Sequence, residues 1–432
     1  MENDDMEETG AGMAGMGTAA VVVVDDGTLD RAEMKAQAKP NSYEAQLEYV
    51  ACLVSATKSN PEVRMRLRQA CEAVSQKWPM GEVTWIEWLE AEIGATDFED
   101  AEAAKYVVDL CRRSTQDYIS VDLWLAYCDV VAQCNAAAAE EERIRAAFEE
   151  AVASPSAYGI LDGIGIWEAY CEFERNLQNS ANVLKLYRRM FETPLNGMDR
   201  ALASMDVWCK DNGVPQEEID AVKAVYKATH DLYEAEIVPR ETGLSTEEEG
   251  SWVEYAKFLE ERKAKFLCVC SVYERGIKEM PQSPELWKQY IAYVERCVLE
   301  KYDPANSTNN YLATVYRRAT RNCRDCGAVW AGYIRLVEQS GDPTVTVPGL
   351  VYQANCCIST AEEYEEVLHA YISACRRLVD PSTIVGSEPS ASVEAFRDVC
   401  KYAVKSLEGK KTAKHPFKKH HFKKILSSHS FL

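Results

Sequence analysis

Apolar side chains recur at three- and four-residue spacing over most of this 432-residue chain, the rhythm of helices with one buried face. The rhythm begins in NSYEAQLEYVACLVSA, residues 41–56, behind an N-cap. PEVRMRLRQACEAVSQKW, residues 61–78, is the next helix: Pro61 suits a first turn, and Pro79 and Gly81 stop it. No long two-residue alternation competes, so the pattern predicts an all-α fold.

The helices repeat. Trp-x-x-Tyr stands at Trp124/Tyr127, Trp167/Tyr170, Trp252/Tyr255, Trp287/Tyr290 and Trp330/Tyr333, with Trp85/Trp88 as a Trp-x-x-Trp variant. The gap of 85 residues from Trp167 to Trp252 has room for one more copy. LASMDVW at 202–208 fits there, with Leu202 and Met205 in the aromatic positions. LHAY, Leu368 to Tyr371, is a last weak copy. A second phrase lies between these helices: AFEEAV at 147–152, LYRRMF at 186–191, VYERGI at 272–277 and VYRRAT at 315–320, with looser copies VYKATH at 225–230 and VYQANC at 351–356.

A two-helix unit recurring every 35–45 residues marks an α-solenoid. Residues i and i+3 share a helix face, and one hairpin cannot bury that face alone. The Trp and Tyr residues of the first phrase are therefore expected in the repeat core, through Tyr371. Glu92 and Glu174, at helical spacing from the aromatics, are expected to make structural hydrogen bonds within the repeat.

The phrase Trp167-x-x-Tyr170-x-x-x-Glu174, with Tyr273-Glu274-Arg275 in a second helix and Pro284 ahead of Trp287, resembles the half-a-tetratricopeptide (HAT) repeat. Gly276 stands where that repeat usually has Ala. WPMGEVTWIEWLEAEI, GIGIWEAYCEFERN, and YRRATRNC before WAGYIRLVEQSGD resemble the family of squamous cell carcinoma antigen recognised by T cells 3, over residues 40–405. The resemblance implies a nuclear, nucleoplasmic scaffold in pre-mRNA splicing, with cytoplasm as a second location. Its partners would be U4/U6 small nuclear ribonucleoprotein (snRNP) proteins and ubiquitin-specific proteases, and its task the recycling of that particle.

The chain departs from the family in two places. No stretch resembles an RNA recognition motif, so direct RNA binding is expected to be weak or absent. The helical text ends after SVEAFRDVCKYAVKSL, short of the later HAT units that mediate dimerisation in the family, and reads as a truncation. Two rival readings are a HAT scaffold of another RNA machine (pre-mRNA 3′-end cleavage or ribosomal RNA processing) and the helical subunit of a protein prenyltransferase. The second needs Arg shortly after each Trp, where this chain has Tyr.

Charge adds an asymmetry. The net charge is −21, yet residues 401–432 carry nine Lys and one Glu. The acidic body repels phosphate backbones. The expected organisation is a disordered acidic tail at 1–40, the solenoid at 41–407 and a basic, disordered tail at 408–432. Lys410, Lys411, Lys414, Lys418, Lys419, Lys423 and Lys424 form a possible nuclear import signal. No basic, apolar leader opens the sequence, and no run approaches the ~20 apolar residues of a membrane span.

Candidate chemistry is sparse. Sixteen Cys without a secretory leader read as free thiols in a reducing compartment. Cys323-x-x-Cys326 lacks a second pair to complete a zinc site. GxGxxG, Walker, HExxH and GxSxG phrases are absent, so no catalytic, metal or cofactor-binding residue is expected, and no enzyme. Partner contacts are expected beside the aromatic cores, at Glu87, Glu90, Glu168, Glu172, Glu254 and Lys288.

Overall fold

Burying a Trp-x-x-Tyr stripe requires a helix and a neighbour to cover it, and the chain supplies both in alternation. The computed structural model describes residues 26–57, 61–134, 140–300, 308–340, 345–378, 391–408 and 410. Its first half contains α1 (Asp26–Ala38), α2 (Tyr43–Thr57), α3 (Arg64–Lys77), α4 (Glu82–Ile93), α5 (Ala101–Asp117), α6 (Val121–Gln133), α7 (Glu140–Val152), α8 (Ile164–Asn176), α9 (Ser180–Phe191), α10 (Met198–Asp211) and α11 (Gln216–Leu232). The second half contains α12 (Val238–Thr242), α13 (Glu249–Glu261), α14 (Phe266–Glu279), α15 (Pro284–Glu300), α16 (Thr308–Asn322), α17 (Gly327–Ser340), α18 (Val347–Cys357), α19 (Ala361–Arg377) and α20 (Ala391–Glu408). Among the described residues no strand forms.

Local sequence sets the boundaries. Asp100 starts α5 by accepting from the backbone N–H groups of Glu102 and Ala103 at 3.0 and 3.3 Å. Ser120 starts α6 by accepting from Leu123 N–H at 3.3 Å. Gln178 and Lys263 take positive φ, 56° and 57°, just past α8 and α13. Each stands eleven residues after its repeat Trp, so the same left-handed turn closes both hairpins.

Two cores result. One runs from Leu29 to Val222; the other runs from Ile237 to Leu407 and takes in Ile160 from the first half. A continuous helix joins them, because α11 passes through a π turn at Tyr233–Ile237 into α12. Pro239 has no N–H to donate, and the turn before it widens so that Val238 N–H reaches the Tyr233 carbonyl. Tyr233 packs against both cores.

The second array folds back on the first. Ser271 Oγ donates to the Tyr158 carbonyl at 3.0 Å, and Lys265 pairs with Glu192 at 2.8 Å. Arg321 donates to the Ser75 carbonyl at 2.7 Å and pairs with Asp117.

Three expectations change. The array starts earlier than residue 41, since α1 packs its Leu29, Ala32 and Ala36 inward. In α10 the inward face is Met198, Ala201, Met205 and Cys209, and Leu202 is only partly buried. Tyr371 is also only partly buried; on α19 the deeply buried aromatic is Tyr364. Residues 1–25 and 411–432, which hold most of the two expected tails, lie outside the described residues.

Candidate protein-interaction scaffold

The repeat aromatics assemble a joint between consecutive hairpins. In α8, Trp167 and Tyr170 are buried, and the Tyr170 hydroxyl donates to Glu149 of α7 at 3.0 Å. Arg189 of α9 grips the same carboxylate through two bonds, 2.8 and 3.0 Å, while its guanidinium lies 5.3 Å over the Trp167 ring. Trp252, Tyr255, Glu241 and Arg275 repeat this arrangement, with Tyr255 donating at 2.7 Å and Arg275 at 2.7 and 2.8 Å. Trp287, Tyr290, Glu274 and Arg318 repeat it again, with all three bonds to Glu274 at 2.7 Å. At the Trp-x-x-Trp variant the hydroxyl is lost: Arg113 lies over Trp85 and Trp88 and holds Glu72 at 2.9 and 3.0 Å.

Each joint takes its carboxylate from the helix before the Trp helix and its arginine from the helix after. One acid thus ties three successive helices; it is buried at Glu274, half-buried at Glu241 and Glu72, and exposed at Glu149. Burial alone would raise the Glu149 and Glu241 carboxyls. The Arg189 and Arg275 guanidiniums, helped by the tyrosine hydroxyls, outweigh it and hold both acids below the usual carboxylate range. The aromatic slots of adjacent repeats also stack, with Phe148 on Tyr170, Tyr273 on Tyr290 and Tyr316 on Tyr333 at 5.0–5.8 Å.

Glu92 and Glu174 make the structural bonds their spacing predicts. Glu92, fully buried, accepts from Arg68 at 2.9 and 2.6 Å and from Trp88 Nε1 at 3.3 Å. Glu174 accepts from Arg145, Asn179 and Asn182.

The predicted contact residues do not converge on one place. Glu87 and Glu90 line a cleft with Arg64 and Val54. Glu168 is engaged by Arg200, Glu172 sits 3.5 Å from Arg175 and Lys288 pairs with Glu285 at 2.7 Å; Glu254 is exposed. Of the import lysines only Lys410 is described, and its ammonium donates to the carbonyls of Asn355 and Ile358 at the end of α18. Every described cysteine is a free thiol. Burial pushes Cys323 up to about 12, so it stays protonated near neutral pH. Among the described residues no helix is long and apolar enough to cross a membrane.

Two families match, one to each array. The PRP39 N-terminal HAT repeat matches residues 33–206, and the pre-mRNA-splicing factor Syf1/CNRKL1 N-terminal HAT repeat matches residues 230–374. The chain is a HAT-repeat protein. Its HAT array is 28% identical over 349 residues to spliceosome associated factor 3, U4/U6 recycling protein, of Homo sapiens. Relatives of the same name from Mus musculus and Danio rerio are 28% and 25% identical. Each alignment covers 79% of this chain, against 34% of the human and mouse proteins and 37% of the fish protein. The HAT chain therefore spans about a third of the length of the curated relatives it matches. A solved structure of human IFIT1 covers 89% of the chain at 11% identity with a TM-score of 0.19, too low to argue from.

Sequence reasoning named Glu274 and Arg275 in the repeat phrase but missed the ion pairs, and with them Glu149, Arg189, Glu241 and Arg318. The signal was present in the Glu-Arg and Arg-Arg pairs of VYERGI, LYRRMF and VYRRAT.

Proposed function

We propose that this HAT array is a non-enzymatic scaffold in pre-mRNA splicing that holds partner proteins during U4/U6 snRNP assembly or recycling. The observation that carries this reading is the match of both arrays to splicing HAT families, together with relatives named as U4/U6 recycling proteins. The architecture supports it: the joints tie the repeats to one another and leave other helix surfaces open for contacts. Glu87, Glu90 and Glu254 are contact residues in this reading, while Glu168, Glu172 and Lys288 first have to leave their intramolecular partners. The protein acts in the nucleoplasm.

The test is affinity capture with the full chain from nuclear extract, followed by protein mass spectrometry and small-RNA sequencing. Recovery of U4/U6 snRNP proteins or ubiquitin-specific proteases is the expected result. Recovery of 3′-end cleavage factors or nucleolar proteins instead would move the scaffold to another RNA machine and overturn the reading.

A further inference from the structure

Burial pushes the thiols of Cys323, Cys326 and Cys375 up, which makes them poor nucleophiles. One sulfur of the same array is held differently. Cys356 and Cys357 close α18, Cys356 exposed and Cys357 partly buried. Arg324, in the turn between α16 and α17, donates to Cys357 Sγ from Nε at 3.3 Å and from Nη2 at 3.2 Å. The same guanidinium lies 5.4 Å over the Trp78 ring, so one arginine links the first array to this sulfur across the seam between the arrays. Lys410 donates to the carbonyls of Asn355 and Ile358, the residues directly before and after the cysteine pair. Its ammonium offsets the negative end of α18, where an anion would otherwise be disfavoured. Asp325 is also near, with its carboxylate engaged by the N–H and hydroxyl of Ser359 at 3.1 and 3.4 Å. A thiolate at Cys357 accepts both Arg324 bonds as charge-assisted pairs, whereas a thiol is a weak acceptor.

We propose that Cys357 is a modification site: a reactive thiol that hydrogen peroxide oxidises and that a small anionic thiol, such as glutathione, then caps. The Cys357 thiolate attacks one peroxide oxygen. An S–O bond forms, the O–O bond breaks and hydroxide leaves, so the sulfur is oxidised to a sulfenic acid and the peroxide is reduced. The small thiol then attacks that sulfur, forming the mixed disulfide and releasing water. Cys356 is a poor resolving partner, because consecutive Cα atoms stand about 3.8 Å apart and a disulfide needs about 4.4–6.8 Å. Arg324, once the sulfur is capped, can turn to a carboxylate of the incoming thiol. That draws its guanidinium from Trp78 and loosens the seam. This inference stands apart from the splicing reading and survives its failure.

Alkylation of the full chain by iodoacetamide at neutral pH, read by mass spectrometry in Cys356→Ser and Cys357→Ser, tests it. Cys357 in the first variant is expected to react faster than Cys356 in the second, against the order of their exposure. In urea the two rates should converge, because the unfolded chain holds no arginine against the sulfur. Arg324→Gln should slow Cys357 about tenfold, as for loss of one charge-assisted hydrogen bond, and leave Cys356 as it was. The order of the two rates needs no Arg324 variant, so it decides the matter even if that variant fails to fold. Peroxide followed by glutathione should place the glutathione on Cys357. Faster alkylation at Cys356, an Arg324→Gln chain that keeps both its helical circular dichroism and its Cys357 rate, or a peroxide product that joins Cys356 to Cys357 would overturn the proposal.

Discussion

At the residue scale the protein depends on a few shared carboxylates, each serving two helices besides its own. Tyr255→Phe removes one donor from Glu241 while Arg275 stays, and should cost about 1–2 kcal/mol in urea unfolding. Acid should loosen the same joint. Glu241 and Glu149 titrate lower in the folded chain than in the unfolded one, so they stabilise the fold above the unfolded carboxylate value, near pH 4.3. That contribution is lost as pH falls through their lower folded values. Thermal stability followed from pH 6 to pH 3 should drop mainly below about pH 4.5. The aromatic members of each joint were legible because Trp and Tyr at i and i+3 are rare and periodic. The arginines show as recurring Glu-Arg and Arg-Arg pairs, but their partners do not, because Glu and Arg in a helix look the same whether they face solvent or each other.

At the element scale the hairpin is the unit, and its two helices differ in how clearly the sequence shows them. Trp-led helices announce themselves, and Trp167→Ala should cost about 3–5 kcal/mol, with faster hydrogen exchange confined to α7, α8 and α9. Helix α10 is harder to read, since Met198, Ala201 and Met205 fill the space that aromatics fill elsewhere. Met205 takes its expected place, but Ala201 rather than Leu202 fills the other one, because small side chains leave no fixed register. Gly327 shows a constraint that periodicity hides. A Cβ there would lie 1.8 Å from the Glu363 carbonyl oxygen, so α17 and α19 touch backbone to backbone. Gly327→Ala should destabilise the end of the array by about 3 kcal/mol, the upper range for overpacking, read as exchange in α17–α20.

At the scale of the whole molecule, two arrays are joined by one helix that contains a π turn and are closed by long-range contacts. The boundary between the family matches, after residue 206 and before 230, overlaps the stretch after Val222 and before Ile237 where the first core gives way to the second. Sequence periodicity exposed the number and order of repeats but not the closure, because Arg321 and Asp117 are 204 residues apart and neither stands in a repeat phrase. Arg321→Ala should raise the radius of gyration in solution scattering and speed exchange around Tyr158 and Ser271; an unchanged profile would mean the seam is held elsewhere. The claim on which the account rests is that each repeat is fastened to the next by an acid shared among three helices. Hydrogen exchange on the full chain carrying Glu274→Gln tests it most directly, since the change strands Arg318 without its partner, a loss of about 3–5 kcal/mol. The account predicts accelerated exchange in α14, α15 and α16 with α2–α9 left as they were. Protection unchanged in α14–α16, or lost evenly along the whole chain, would contradict it.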